Sequence, residues 1–418
     1  MKIHYKDSTS RKTKNLETNY VIEQQNFIFD QLFIEEHDKS ELYRILLDLY
    51  NTIVFNLPEM NANFKSNVFY ELLCSIIDDN EYLSEELVIN IITKLFLIFG
   101  FDELKMFCKP EFCQLIGGNL LKNIEKKSLE LSIIRLLTLI LSNSPNNSEL
   151  WITYYQHIVN LLKTTYDIKS ILIIGNFVLQ MAKTQPLLVS DKEINVFIRS
   201  DEPKIKIIGI ELLQILVEDN ILNIDILEKF NLMKFLQEES NEVLSKTLQL
   251  FNSLIIHTSS FNDYKIFLPF IKNKFSDVRN CAIKCLISFF ENVNLETNIE
   301  VDFILFLVKF SSQCSYFIKI RVIYLLIILI LNKDIQYINL EDDMMIKILH
   351  EILFIFQTEE YELFTPCLNA VLNICNYLKK MKKDDIISAE LSSININDFD
   401  EYLDQKELIS QFNSFLAH

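Results

Sequence analysis

Glycine and proline, the residues that punctuate most turns, are scarce in this chain. It contains 5 Gly and 7 Pro among 418 residues, whereas average proteins contain roughly 7% Gly and 5% Pro. Folds built from many strands consume both residues at their turns. The scarcity therefore argues against all-β and α/β folds, and it leaves helix as the expected structure.

Long apolar runs are also missing. The longest uninterrupted one extends from Val322 to Leu331, far short of the ~20 residues that a membrane-spanning helix needs. Residues 1–19 are polar and lack the apolar core of a secretory signal. The 8 cysteines lie within apolar helical patterns, as expected of reduced thiols without disulfides. We therefore predict an intracellular protein, cytoplasmic or nuclear, that does not insert into a membrane.

The motifs that carry most catalytic chemistry are absent. Gly117 and Gly118 form the only adjacent glycine pair, and no Lys-Ser or Lys-Thr pair follows at the spacing of a phosphate-binding loop. No H-E-x-x-H or paired CxxC motif occurs, and the 6 histidines are scattered along the chain. We therefore expect no enzyme activity, no cofactor, no metal site and no small-molecule substrate.

Two pairs of cysteines allow more than one interpretation. Cys281 and Cys285 lie one helical turn apart, and Cys108 and Cys113 bracket the segment KPEF. Either pair could supply two metal ligands. Because Cys285 falls within the apolar stripe of its helix, where a free cysteine behaves as a small hydrophobe, the packing interpretation is favoured.

Negative charge dominates the chain and is unevenly distributed. The formal net charge of −17 disfavours direct nucleic-acid binding, because Lys and Arg are needed to neutralise phosphates. Residues 1–20 hold five basic and two acidic side chains, whereas residues 384–418 hold eight acidic and one basic. We expect a disordered basic arm over 1–20, a helical repeat domain over 21–383, and an acidic segment over 384–418. Leu408, Phe412 and Phe415 in that segment have the spacing of a short helix.

A helical signature recurs along the chain. It is an apolar residue followed by apolar residues five and eight positions later, and successive copies lie 35 to 45 residues apart. The anchors are Leu42, Leu87, Leu129, Ile168, Ile205, Val243, Val278, Ile318 and Leu363. This period is typical of stacked helical hairpins in an α-solenoid, in which each repeat contacts only its neighbours.

The segment from Ile221 to Ile256 resembles an armadillo repeat. Its apolar period predicts a short helix, a second helix, a polar break and a long third helix, which carries Val243, Thr247 and Phe251 at the places of the family pattern. The place of Thr247 is held by small residues in two other repeats, Gly209 and Ala282. The resemblance implies a right-handed, all-α solenoid of about nine armadillo/HEAT-like repeats, and the sequence leaves armadillo and HEAT subtypes open.

In armadillo proteins the third helices line a concave groove, and side chains six and ten places after each anchor face it. The resemblance to nuclear-import adaptors is distant, because their Trp and Asn ladder survives only at Asn373 and the single Trp, Trp151, falls in a linking helix. The positions six and ten residues after the anchors include seven residues that we predict to bind a partner. They are Arg135, Gln249, Ser253, Lys284, Tyr324, Asn369 and Asn373.

Three hypotheses for function follow from this resemblance. The first is a non-enzymatic scaffold that binds an extended peptide or a helical segment of another protein along the groove. The second is a cargo adaptor in nuclear transport, with the basic arm docking to a receptor. The third is a regulatory subunit that positions an enzyme or a chaperone. The segment KKMKK at residues 379–383 fits a nuclear-localisation signal or, as we favour, cations that complement a helix end.

Overall fold

The computed structural model is helical in every regular element that it describes. The described residues are 25–28, 30–33, 38–55, 66–78, 82–100, 102–122, 126–144, 148–222, 225–258, 263–292, 300–332, 341–358, 360–392, 394 and 406–416. No β-strand occurs among them. The predicted basic arm, residues 1–20, lies outside this part of the chain. The chain forms two compact units, Met1–Ile215 (unit one) and Leu216–His418 (unit two).

Unit one alternates short and long helices, and the last of them, α9, ends in unit two. Residues 25–28 and 30–32 are helical. The helices after them are α1 (Lys39–Phe55), α2 (Asn67–Asp78), α3 (Tyr82–Phe99), α4 (Pro110–Lys122), α5 (Lys127–Asn143), α6 (Ser148–Asn160), α7 (Ile168–Thr184), α8 (Asp191–Ile198) and α9 (Pro203–Glu218). Three 3₁₀ segments lie between them, at Asp102–Cys108, Leu161–Lys163 and Pro186–Leu188.

Unit two continues the alternation. Its helices are α10 (Ile226–Lys229), α11 (Asn241–Thr258), α12 (Leu268–Ile271), α13 (Ser276–Asn292), α14 (Val301–Ser311), α15 (Tyr316–Asn332), α16 (Asp342–Leu353), α17 (Phe364–Lys380), α18 (Asp384–Leu391) and α19 (Lys406–Leu416). Its 3₁₀ segments are Leu232–Gln237, Tyr264–Phe267, Phe354–Gln357 and Tyr361–Leu363.

The predicted repeat is confirmed, because each anchor lies at or near the start of a long helix. The long helices are the odd-numbered ones from α1 to α17. In unit one, α1, α3, α5 and α7 pack side by side in that order, and in unit two α11, α13, α15 and α17 do the same. A second row of shorter helices packs behind each stack, with α2, α4 and α6 in contact in unit one and α14 and α16 in unit two. This is the α-solenoid that the sequence predicts.

The fourth anchor was placed two residues too early. Ile168 is the first residue of α7 and is 49% exposed, so it anchors nothing. Asp167 caps the helix by accepting a hydrogen bond from the Ser170 amide at 2.8 Å. Ser170, 3% exposed, takes the buried anchor position, and the buried Ile174 and Val178 follow four and eight residues later. The apolar pattern alone therefore placed the anchor of α7 at Ile168, whereas the Asp167 cap places it at Ser170.

The small residue of the repeat pattern has the predicted packing role in α9. A Cβ atom at Gly209 would lie 2.6 Å from Ile198 Cγ1 and 2.9 Å from the Ile198 backbone nitrogen. Ala282 and Thr247 hold the same place in α13 and α11 and are fully buried. The helix preceding α9 thus approaches its backbone more closely than any larger side chain would permit.

Both repeat subtypes occur in this chain. The repeat that contains α11 begins with two short segments, α10 and Leu232–Gln237, so its first part is split as in armadillo repeats. The repeat of α13 is split likewise, into Tyr264–Phe267 and α12. The repeats of α15 and α17 begin instead with single longer helices, α14 and α16, as in HEAT repeats.

The C-terminal helix predicted from Leu408, Phe412 and Phe415 is present as α19. Phe412 is fully buried and Phe415 is 9% exposed, and α19 packs against α17 and α18. Lys379 and Lys380 occupy the last turn of α17, and Lys379 Nζ lies 5.5 Å from the centre of the Phe415 ring. The basic segment therefore closes a helix and meets α19, as the favoured interpretation predicts.

Candidate partner-binding surface

Each long helix leaves one stripe of side chains uncovered. Long neighbours cover its flanks and a second-row helix covers its back. The side chain about six residues after the anchor stays exposed or half-buried on every long helix, whereas the one ten residues after it is buried at Ser253, Ser288 and Ile328. We call the combined stripes of one unit its long-helix face. In unit one it lies on α1, α3, α5 and α7, and in unit two on α11, α13, α15 and α17.

Unit one contains only one of the predicted contact residues. Arg135, in the middle of α5, is exposed on the long-helix face. The corrected frame of α7 adds Asn176, which is exposed six residues after Ser170, and Gln180, which is half-buried ten residues after it. If Ile168 were the anchor, the positions six and ten residues later would be Ile174 and Val178, which are both buried. The Asp167 cap was the sequence signal that could have revealed Asn176.

Unit two brings four of the predicted residues together on successive long helices. Gln249, Lys284, Tyr324 and Asn369 each lie six residues after their anchors on α11, α13, α15 and α17. Lys284 is exposed, and the other three are half-buried. Since these helices pack in this order, the four side chains form one row along the long-helix face.

Three residues of unit two are engaged within the fold. Ser253 is 6% exposed and donates a hydrogen bond to Glu218 Oε1 at 2.8 Å, so little of this predicted contact residue is accessible to a partner. The Tyr324 hydroxyl donates to Glu291 Oε1 at 2.7 Å, and burial raises its pKa to about 12. Gln249 Nε2 donates weakly to Cys281 Sγ at 3.7 Å. The hydroxyl of Tyr324 is thereby held in one orientation, neutral at physiological pH.

Two asparagines on α17 remain available. Asn369 is half-buried and Asn373 is exposed, and neither side chain makes a hydrogen bond with another described residue. An amide side chain offers both a donor and an acceptor, the pair that a peptide backbone requires. They are the best-placed groups in unit two for holding the main chain of a ligand.

A cavity of about 380 Å³ opens between the first turns of α11 and α13. Lys246, Gln249, Asn280 and the ring of Phe275 line it, and Glu242 and Asp277 lie at the helix starts. The mixture of charges, amides and one aromatic ring suits a side chain of a bound segment better than a small ligand with one charge. The cavity therefore extends the row of Gln249 and Lys284.

The cysteines pack as hydrophobic groups. Cys285 is fully buried and donates to the Leu248 carbonyl at 3.0 Å, and burial raises its pKa well above the ordinary value. Burial also raises the pKa values of Cys108 and Cys113 to about 12. All eight cysteines are free thiols. Within the described ranges no group of three His, Cys, Asp or Glu side chains could hold a metal ion.

The most buried charged groups lie between the two rows of helices. Glu130 on α5 is 2% exposed and lies 3.4 Å from His157 Nε2 on α6, and desolvation raises the pKa of its carboxyl group. Glu85 on α3 is fully buried beside Asn119 of α4, and burial raises its pKa as well. Each carboxyl group lies between a long helix and a second-row helix rather than facing the surface.

Comparison with known proteins defines the fold. No protein-family model matches the chain, and no curated protein does. The crystal structure of an engineered protein aligns with a TM-score of 0.65 and 11% identity over 94% of this chain and 98% of that one. A structure from work on a phosphorylation switch that controls the interaction between cadherin and beta-catenin aligns with a TM-score of 0.59 and 12% identity. The alignment covers 93% of this chain and 82% of that one. An importin beta structure aligns with a TM-score of 0.48 and 10% identity, over 96% and 54%.

The architecture is thus an armadillo/HEAT-type helical-repeat fold. Identities of 11% and 12% support the fold and nothing finer. Among the described helices none is long and apolar enough to cross a membrane. In this helical-repeat protein, the long-helix face is the candidate partner-binding surface.

Proposed function

We propose that the chain is a non-enzymatic interaction scaffold that holds an extended peptide or a helical segment of another protein along its long-helix face. The observation that carries this proposal is the row of Gln249, Lys284, Tyr324 and Asn369 on successive long helices. Polar side chains in register along a stack can pin one ligand at several points, and the repeat geometry supplies the length.

The fold of the cadherin and beta-catenin structure supports the proposal by likeness of architecture. That structure concerns an interaction between two proteins, cadherin and beta-catenin, and an extended repeat surface suits such a task. We infer the same class of role here, with protein partners and without a small-molecule substrate.

The nuclear-transport adaptor and the regulatory subunit stay predictions. The basic arm on which the adaptor hypothesis depends lies outside the described residues, and Asn373 is still the only predicted ladder residue of the import adaptors. Deleting residues 1–20 tests the adaptor hypothesis, which requires that nuclear accumulation be lost. A scaffold that uses only the long-helix face keeps its location and its partners.

Site-specific crosslinking tests the proposed function. A photo-crosslinking residue replaces Lys284 or Asn373 on the long-helix face, and the matched control carries it at Lys309, which is exposed on second-row helix α14. We expect both face positions to crosslink the same protein in cells while position 309 does not. A triple variant, Gln249→Ala, Tyr324→Ala and Asn369→Ala, should reduce the crosslink. Equal labelling from all three positions would rule out the face as the site.

A further inference from the structure

Part of the long-helix face of unit one is basic, although the whole chain carries a net negative charge. The chain contains 57 acidic residues, yet none occurs in residues 87–99 of α3, in residues 131–143 of α5 or anywhere in α7. The same stretches contain the cations Lys94, Arg135, Lys169 and Lys183. Their spacing along each helix places these side chains on the exposed stripe.

These cations are not engaged within the fold. Arg135, Lys169 and Lys183 are exposed and Lys94 is half-buried, and none of the four forms an ion pair or hydrogen bond with another described residue. Lys127, at the start of α5, differs because it pairs with Asp167 at 3.1 Å. The four charges are thus available to a ligand.

Aliphatic side chains lie between the cations. Leu97 on α3 is 64% exposed, and Leu139 on α5 and Ile173 on α7 are half-buried on the same stripe. We call these residues, with the four cations, the basic patch. Exposed aliphatic area surrounded by unpaired charge is costly to leave in water and favours an amphipathic ligand over a purely ionic one.

Carboxylates border the basic patch on both sides. On α1 the stripe carries Arg44 together with Asp48, and on α9 the position six residues after the anchor is Glu211. The patch therefore spans the three helices α3, α5 and α7. Neighbouring helix axes lie about 8–10 Å apart, so a ligand crossing them covers about 20 Å, or about six residues of extended chain.

We propose that the basic patch binds an extended acidic segment of a partner protein, in which carboxylates about three residues apart alternate with aliphatic side chains. In an extended polyproline II chain, three residues make one turn of about 9 Å, which matches one helix separation and keeps every third side chain on the same face. Successive carboxylates then reach Lys94 and Arg135. Asn176 and Gln180 on α7 supply amides for the ligand backbone. This inference rests on the proposed function and assigns its partner chemistry in unit one.

Nucleic acid is the competing polyanion. Non-specific binding of single strands relies on aromatic rings on which bases stack, whereas the apolar residues of the patch, Leu97, Leu139 and Ile173, are aliphatic. The aliphatic side chains instead match an acidic peptide that carries its own Leu, Ile or Val.

Selection from a displayed library of random 16-residue peptides tests this inference with the full chain. The patch variant carries Lys94→Glu, Arg135→Glu and Lys183→Glu. The matched control carries Lys109→Glu, Lys163→Glu and Lys192→Glu, three exposed lysines of unit one outside the patch. Circular dichroism and thermal melting establish that both variants fold.

We expect selected peptides to be rich in Asp and Glu with interspersed aliphatic residues. Their affinity should fall about tenfold or more for the patch variant and less than about twofold for the control, and it should weaken as salt rises. Enrichment of basic peptides, or unchanged affinity for the patch variant, would overturn the inference. So would failure to select any peptide, or patch-dependent binding of polyuridylate as tight as that of the peptides.

The outcomes separate this inference from the proposed function. Peptides whose binding requires Gln249, Tyr324 and Asn369 but not the patch cations would refute the patch while supporting the scaffold. Crosslinking from Lys284 and Asn373 reports on unit two independently of the selection. The two proposals can therefore fail separately.

Discussion

At the scale of single residues, two glycines in similar helical settings have opposite roles. Gly209 lies in α9 against α8, with the Ile198 backbone nitrogen 2.9 Å from the place of a Cβ atom. Gly118 lies inside α4 with nothing within 4 Å of that place. The first glycine permits close packing, whereas the second only weakens its helix.

We expect Gly209→Ala to lower the free energy of unfolding by about 1–3 kcal/mol, because backbone atoms must move to admit the methyl group. Gly118→Ala, the matched control, should raise it by up to about 1 kcal/mol through helix propensity. Urea unfolding followed by circular dichroism measures both. The packing role of Gly209 would be disproved if both substitutions stabilised the protein.

Asp167 makes the stability of α7 depend on pH. Hydrogen bonds from the Ser170 side chain and amide, with Lys127 nearby, lower the pKa of its carboxyl group to about 2. Because this value is below the ordinary pKa of about 3.9, its stabilising effect is complete above about pH 4 and is lost as pH falls toward 2. Asp167→Ala should destabilise the protein by about 1 kcal/mol at pH 7.

Asp167→Asn is the informative control, since asparagine caps helices as well as aspartate does. This variant should keep most of the stability at pH 7 and lose the dependence between pH 4 and pH 2. Thermal midpoints at pH 7, 4 and 2 measure the difference. An identical decline for the native chain and Asp167→Asn would show that other carboxyl groups dominate.

At the scale of elements, α19 closes the end of unit two. It packs against α17 and α18 through Phe412, which is fully buried, and Phe415. Lys382, just after α17, has a left-handed conformation with φ of 59°, and the Lys383 amide donates to the Leu378 carbonyl at 3.2 Å. This turn ends α17 and directs the chain into α18.

Phe412→Ala should undock α19, because it removes the one phenyl ring of the helix that is fully buried among the described residues. We expect amide hydrogen exchange in α19 to accelerate strongly while α11 and α13 keep their protection. Ser414→Ala, at an exposed position of the same helix, is the control and should leave exchange unchanged. Unaltered protection of α19 in Phe412→Ala would mean that other contacts hold the helix.

Element boundaries also show where sequence analysis succeeds. The break predicted at residues 238–241 separates Leu232–Gln237 from α11, because polar residues there interrupt a strong apolar period. The same reasoning failed at Ile168, where the Asp167 cap set the helix start and Ser170 took the buried place. Helix α18 was not predicted, since its eight residues carry too few apolar positions to show a period.

At the scale of the whole molecule, the two compact units should respond separately to mutation. Phe290 of unit two is fully buried, and its ring centroid lies 5.2 Å from that of Tyr264 and 5.3 Å from that of Phe289. In helical repeats each element contacts only near neighbours, so a core defect weakens its own region first.

We expect Phe290→Ala to lower the unfolding midpoint of peptides from unit two and to leave those of unit one nearly unchanged. Hydrogen exchange read by mass spectrometry across a urea series measures both units in one sample. Phe177→Ala, at a fully buried position of α7, should give the reverse pattern. A common midpoint shift in both units would instead indicate one cooperative transition.

The sequence by itself determined the helical class, the repeat period and the positions of eight anchors, because an apolar stripe along a helix is encoded by residues three to five positions apart. Only the tertiary structure decided which polar residues of the long helices remain exposed. Ser253 bonds to Glu218 and Tyr324 to Glu291, whereas Asn176 and Arg135 stay uncovered. These outcomes depend on helices about one repeat away in the chain, which stacking brings into contact and no local pattern records.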